Sequence, residues 1–382
     1  MTCFRIAAAI AALIVAATGA AAADKVYGVE ISPGGKHYAV LRDVGAQKAL
    51  AIYSVDDASA KPAGVGLGQN EVMDFEWGGD DHILLRISGD VAGVDTVDGV
   101  KTLNYERWLS ISRLTGEFRT VFGNEQGSDY FYLITSAGSL VATLPQDSDR
   151  ALFARSYAAV KPGGPSRLKQ GIDELLFSLI EANLKTGDTK RRADGLFNTA
   201  DWIVSADGTP VARIDQAPNS KTLKIMGADG KGFKQAGTLE SDVVESENVK
   251  FLGVGSSPRK IQILRTVDGE RRLYEYDLDA AAYSAAAPAY GTITEVTYDP
   301  RSAKTRVVYV SVDGGVSPYH LDTDDQKTQA SLEKAISGAA ISLVSKSADG
   351  SRMIARADYR AKGSEFYFFD KTAKRLELVA AN

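Results

Sequence analysis

Short apolar runs alternate with clusters of Asp, Gly, Pro and Ser along almost the whole chain beyond residue 24. The repeating unit is a short apolar segment, a turn cluster, and then a second segment of alternating apolar and polar residues. The first instance runs Tyr27 to Ile31, turns through Ser32-Pro33-Gly34-Gly35-Lys36, and continues Tyr38-Ala39-Val40-Leu41-Arg42. Its second half is Ala49 to Asp56. Val72–Trp77 and His82–Ile87 flank Gly78-Gly79-Asp80-Asp81 in the same way. So do Leu140–Leu144 and Ala151–Arg155, Trp202–Val204 and Pro210–Ile214, and Val249–Val254 and Ile261–Arg265. The last two instances are Glu295–Tyr298 with Arg306–Val310, and Ile341–Ser345 with Met353–Ala357.

Period-two alternation with β-branched and aromatic residues predicts strands. Asp-Gly and Pro-Gly pairs supply the backbone angles of tight turns. Further alternating segments, Arg107–Leu114, Leu179–Leu184, Leu273–Leu278 and Glu365–Asp370, fit third strands, the first two leading into glycine-containing hairpins. Recurrence at roughly 40–50 residues marks propeller blades of about four strands, about seven of them. The expected fold is therefore all-β: a seven-bladed β-propeller over residues 24–382. Two stretches, Gly89–Val100 and Ala158–Ile172, run long and are expected to be loop insertions rather than a domain boundary, because the unit resumes on either side. The helical period is met only at about Asp325–Ile336, where Ala330, Leu332, Ala335 and Ile336 supply apolar positions.

The first 23 residues do not fit this pattern. Arg5 precedes an uninterrupted Ala-rich apolar run, Ile6 to Ala17, and Ala21-Ala22-Ala23 gives the small-residue pattern read by a signal peptidase. Residues 1–23 are expected to be a cleaved signal peptide, with the remainder periplasmic or secreted. The run is short and weakly apolar for a spanning helix, and no membrane association is expected after cleavage. The one cysteine, Cys3, lies in this segment. Without it the chain has no disulfide, no thiol nucleophile and no cysteine-ligated zinc.

Composition changes the picture little. The chain is 382 residues long, 44 % hydrophobic, with a formal net charge of −5, which gives no footprint for nucleic acid. The basic run Lys190-Arg191-Arg192 is expected to be a solvated turn.

The ordered set of units resembles the N-terminal propeller of the prolyl oligopeptidase family of serine peptidases, in its exported bacterial form. The residues that carry the resemblance are Ile31-Ser32-Pro33-Gly34-Gly35-Lys36 with Leu41-Arg42, then Val72–Trp77 with Asp80–Leu84. At the far end they are Asp299-Pro300, Leu332-Glu333-Lys334-Ala335, Val344–Arg352 and Phe366–Asp370. The resemblance implies a propeller that gates access to an α/β-hydrolase domain carrying a Gly-x-Ser-x-Gly elbow, Asp and His. This sequence runs to Asn382, just past the last blade-like strand, and contains no such elbow.

No catalytic residue, cofactor-binding residue or metal ligand is therefore expected. Gly255-Ser256-Ser257-Pro258 and Gly315-Val316-Ser317-Pro318 come nearest to a nucleophile motif but lack its last glycine and open no helix. His37, His82 and His320 stand in different blades, and no pairing with a nucleophile is visible. Asp80-Asp81 and Asp322, Asp324 and Asp325 lack the order of a calcium loop and read as solvated turns. Gly64-Val65-Gly66-Leu67-Gly68 reads as a flexible connection between blades, and Trp77, Trp108 and Trp202 as inter-blade packing. No motif asserts a metal or a quinone in the channel. The expected function is a non-catalytic binding or scaffolding propeller, with peptides or a hydrolase-domain protein as partner. The alternatives are one part of a split serine peptidase, or a propeller enzyme with a channel site.

Overall fold

Each Ser/Gly/Asp-rich turn reverses the chain, so neighbouring segments pair antiparallel in sequence order. The computed structural model describes residues 25–68, 70–96, 99–122, 137–158, 175–217, 222–239, 249–288 and 290–382. Residues 1–24, which include the expected signal peptide and Cys3, and residues 159–172 of the second long stretch, lie outside the described residues. Among the described residues the strands form seven antiparallel sheets, six of four strands and one of three. The fold class is the seven-bladed β-propeller expected from the repeat.

The chain forms two compact units. The first holds sheets one, two and seven. Sheet one is β1 (Val26–Ile31), β2 (His37–Val44), β3 (Gln47–Ser54) and β4 (Ala63–Gly68); sheet two is β5 (Glu71–Trp77), β6 (His82–Thr96), β7 (Gly99–Ser112) and β8 (Phe118–Thr120). Sheet seven is β24 (Ala340–Lys346), β25 (Arg352–Tyr359), β26 (Gly363–Asp370) and β27 (Arg375–Ala381). Val29, Ile31 and Val40 pack with Ile354, Phe366 and Phe368 to join sheets one and seven. Each fully buried side chain of this kind contributes roughly 1.5–3 kcal/mol.

The second unit holds sheets three to six. Sheet three is β9 (Ser139–Thr143), β10 (Arg150–Ala158), β11 (Leu175–Asn183) and β12 (Thr189–Ala193); sheet four is β13 (Thr199–Val204), β14 (Pro210–Gln216), β15 (Leu223–Ala228) and β16 (Phe233–Leu239). Sheet five is β17 (Val249–Val254), β18 (Lys260–Val267), β19 (Glu270–Asp277) and β20 (Ala282–Ala287); sheet six is β21 (Thr292–Asp299), β22 (Lys304–Val312) and β23 (Gly315–His320). Its first and last sheets are tied inner strand to inner strand. The Tyr298 hydroxyl donates to the Val141 carbonyl at 2.7 Å, and the Thr143 N–H donates to the Pro300 carbonyl at 3.0 Å. The expected helix is present as α1 (Thr323–Ala335), starting two residues early because Asp322 caps it: its carboxylate accepts the Asp324 N–H at 2.7 Å.

Three expectations need correction. Gly89–Val100 is not an irregular loop insertion: β6 and β7, of 15 and 14 residues, extend through it as paired strands apart from residues 97 and 98, which are outside the described set. Gly64–Gly68 is not a flexible connection but lies in β4, in register with β3. Buried Val65 and Leu67 alternate with the glycines, and backbone pairing outweighs glycine's preference for freedom. Lys190-Arg191-Arg192 is solvated, as expected, but lies on the outer strand β12 rather than on a turn. Arg191 there pairs with Asp194, and Arg192 with buried Glu181.

Candidate functional site

The inner strands share a backbone irregularity. β1, β5, β13 and β21 each carry a bulge near the start, at Val26/Gly28, Val72/Asp74, Thr199/Asp201 and Ile293/Glu295. A bulge inserts one unpaired residue and re-aims its neighbours. The inserted residues are Tyr27, Met73, Ala200 and Thr294, all exposed. The residue that follows is Gly28 in β1 and a carboxylate in the other three: Asp74, Asp201 and Glu295.

Asp201 is the most perturbed of these. It is half-buried, and it accepts the Trp202 N–H at 2.8 Å. Burial pushes its carboxyl up to about 6, against the stabilising pull of that N–H. Its charge also helps hold the Tyr298 hydroxyl in its protonated form, an effect dominated by the burial of Tyr298. Burial raises Asp74 as well, and the Arg86 guanidinium partly offsets it. A carboxylate whose pKa desolvation raises towards the neutral range can bind a cationic group or exchange a proton.

The turns between first and second strands are fastened differently. Arg113 donates to the Asp80 carbonyl at 2.9 Å, to the Asp81 carboxylate at 2.7 Å and to His37 Nε2 at 3.4 Å. Asp80 in turn accepts the Gly34 N–H at 2.7 Å. Sheets one and two are thereby joined at their turns, so Asp80 and Asp81 are fasteners rather than freely solvated residues. Arg352 does the same for sheets seven and one, reaching Asp370, Asp56 and the Gly35 carbonyl. Arg259 pairs with Asp279 and reaches the Ala228 carbonyl, joining sheets five and four. Burial, then the Arg113 charge, holds the His37 pKa below its usual value.

A serine touches an imidazole. Ser110 Oγ lies 3.3 Å from His82 Nδ1. Both are interior: Ser110 is 1 % exposed and His82 6 %. Ser110 sits within the regular strand β7, whereas a nucleophile sits on an exposed turn with donors aimed at a developing oxyanion. The pair satisfies two buried polar groups between the middle strands of sheet two, at the start of β6. His82 is buried and supports its turn, its carbonyl accepting the Gly78 N–H at 2.9 Å; His320 is buried too, and its carbonyl accepts from Gln326 Nε2 at 2.6 Å.

The remaining candidates do not converge. Ser256 is bonded through both its N–H and its hydroxyl to Glu275. Ser317 is exposed on β23. Asp325 is buried, not solvated, at the start of α1. Among the described residues no group of three or more His, Cys, Asp or Glu is placed to hold a metal ion, and no helix is long and apolar enough to cross a membrane. Two of the tryptophans pack between sheets, as expected. Trp77 Nε1 donates to the Glu30 carbonyl of sheet one at 3.1 Å, and Trp202 Nε1 to the Phe177 carbonyl of sheet three at 2.8 Å. Trp108 is buried in β7.

No family model matches this chain, and no curated protein matches it. Solved structures do. A prolyl endopeptidase studied for the role of inter-domain dynamics in catalysis and specificity superposes with a TM-score of 0.51 at 11 % identity, over 94 % of this chain and 50 % of that one. Prolyl oligopeptidase B from Galerina marginata, bound to a 35mer hydrolysis and macrocyclization substrate, gives 0.51 at 12 % identity, over 94 % and 51 %. The fold is that of prolyl oligopeptidase propellers. The chain spans about half the length of these prolyl oligopeptidases, and at such identities the likeness concerns fold alone.

The inner-strand carboxylates Asp74, Asp201 and Glu295 belong to none of the candidate nucleophile or metal motifs in the sequence. A signal for them exists. Asp74, Asp201 and Glu295 each stand three residues before the last residue ahead of the turn or its flank, Trp77, Val204 and Tyr298. Aligning the units on their turns brings them into one column.

Proposed function

We propose that this chain is an exported, non-catalytic propeller of prolyl oligopeptidase type that binds peptides through its inner strands. Export is supported by Arg5, the apolar run Ile6–Ala17 and Ala21-Ala22-Ala23. The observation that carries the binding role is the carboxylate following the inner-strand bulge, Asp201 above all, half-buried and desolvated. A peptide's terminal ammonium, or a Lys or Arg side chain, is the group such a carboxylate recognises. The non-catalytic part is supported by the burial of Ser110 and His82.

Fluorescence anisotropy with unstructured basic peptides tests this reading. Binding should weaken about tenfold in Asp201→Asn, as expected for loss of one charge-assisted contact. Equal affinity of the variant and the parent chain would rule out the inner-strand site. The half-length match to prolyl oligopeptidases favours a second reading, in which the propeller filters substrates for a hydrolase domain. Saturable binding of an isolated prolyl oligopeptidase-type hydrolase domain, by calorimetry, would support that role.

A further inference from the structure

Sheet six differs from the other six sheets in ending at its third strand. After β23 the chain enters α1, whose Leu332, together with Ile336 just beyond it, packs into the core of sheet seven. β23 is an edge strand, with Gly315, Val316 and Ser317 exposed. Its bonding pattern follows from its register. Asp313 (φ 49°) and Gly314 (φ 80°) form the two-residue turn from β22, and Val312 and Gly315 are partners across it. From that closing pair, residues 315, 317 and 319 direct their backbone groups to β22, and residues 316, 318 and 320 direct theirs outward. Pro318 has no N–H, and the His320 carbonyl is taken by Gln326. The open edge therefore offers the N–H and C=O of Val316 and the C=O of Pro318.

The surroundings select an occupant. A cavity of about 330 Å³ lies against the edge, walled by Tyr290, Val312, Pro318 and Tyr319. Tyr290 and Val316 are each more than half exposed. Acidic residues stand at both ends: exposed Asp313 at the turn, exposed Asp322 and Asp324 beyond His320. From Val307 to Gln326 there is no Lys or Arg.

We propose that the β23 edge is a docking site for an extended segment of a partner protein, apolar at its centre and basic at its ends, which adds antiparallel to β23 as the missing fourth strand. The partner donates to the Val316 and Pro318 carbonyls and accepts the Val316 N–H. It seats an apolar side chain beside Tyr290 and Pro318 and meets the flanking carboxylates with Lys or Arg. Pro318 limits unspecific strand addition by withholding a donor. The proposal is independent of the inner-strand site, since no residue is shared.

The probe is a fluorescein-labelled peptide, Lys-Arg-Thr-Val-Thr-Val-Thr-Arg-Lys, titrated with the whole chain. Saturable binding is expected, weakened by salt. Val316→Pro removes the outward N–H without breaking a β22–β23 bond and should weaken binding at least about tenfold. Val316→Ile should bind like the parent chain, and the whole series is repeated in the Asp201→Asn background, so that binding at the inner-strand carboxylate does not contribute. Hydrogen exchange should show the Val316 amide slowed by the peptide and the Ser317 amide unaltered. If Val316→Pro fails to fold, the same peptide N-methylated on alternate amides serves instead, and its binding should be lost. Absence of binding up to about 1 mM, or undiminished binding of Val316→Pro or of the N-methylated peptide, would overturn the proposal. So would a dimer of the chain that Val316→Pro converts to monomer, which would make the occupant a second copy.

Discussion

Asn382 and Val26 stand 356 positions apart and hold each other through both backbone groups of Val26. The Asn382 carboxamide accepts the Val26 N–H, and it donates to the Val26 carbonyl at 3.1 Å. Sheets one and seven thus meet through side chains and turns instead of a shared strand. Ser345 Oγ accepts the Ile31 N–H at 2.9 Å, and the Ala348 N–H donates to the Pro33 carbonyl at 2.7 Å. Replacing Asn382 by Ala removes two partly exposed hydrogen bonds and should lower stability by about 1–2 kcal/mol. Asp at this position loses the donor and should recover only part of that. Urea unfolding of the two variants checks both.

Acid should weaken the joint between sheets one and two. His37 accepts from Arg113, and burial and the Arg113 charge hold its pKa down, with Asp80 and Asp81 opposing and Lys36 adding to the effect. The unfolded chain therefore takes up this proton before the folded one. The stabilisation is present above the unfolded pKa, about 6.5, and declines as pH falls through that value towards the folded pKa. The melting temperature should drop between about pH 7.5 and pH 5.5, and His37→Gln should flatten that dependence.

Asp201 has the opposite sign. Its folded pKa, about 6, exceeds that of an unfolded aspartate, so the folded chain binds its proton first. Stability from this residue rises as pH falls through about 6 and levels off near 4. Asp201→Asn should stabilise the chain at neutral pH by on the order of 1–2 kcal/mol, a figure that allows for its partial exposure. A melting profile of the variant that still rises in this window would contradict the assignment.

The fold was far more legible in the sequence than the site. Turn chemistry and period-two alternation located every inner strand and most third strands, because both are local properties of the chain. β4 escaped because its glycines masked two well-buried residues, Val65 and Leu67. The extended β6–β7 hairpin escaped because the Gly and Asp residues of Gly89–Val100, which disfavour strands, masked its valines. The turn-aligned column marks the position of Asp201 but not its perturbation, which comes from burial in the folded chain, and Tyr298, whose hydroxyl its charge acts on, stands far along the sequence. The Ser110–His82 contact likewise joins residues 28 apart, brought together only by strand pairing.

Glycine positions separate close approach from mere flexibility. Gly253 has φ 107°, and a Cβ there would lie 2.4 Å from the Ala303 carbonyl and 2.9 Å from the Tyr298 ring. Gly253→Ala should cost about 2–4 kcal/mol, because sheets five and six meet at this backbone. Gly66 in β4 has open space around its would-be Cβ. Gly66→Ala should be neutral or stabilise by up to about 1 kcal/mol. Denaturation midpoints of the two alanine variants should move in opposite directions or differ by at least the larger effect.

The central claim is that the described propeller carries no centre that breaks a bond. Incubating the purified chain with a fluorophosphonate probe and a mixture of proline-containing peptides, followed by mass spectrometry, tests it most directly. The account predicts that every peptide is recovered intact and that no serine is labelled. Cleaved peptides, or a label on Ser110 that disappears in Ser110→Ala, would contradict it.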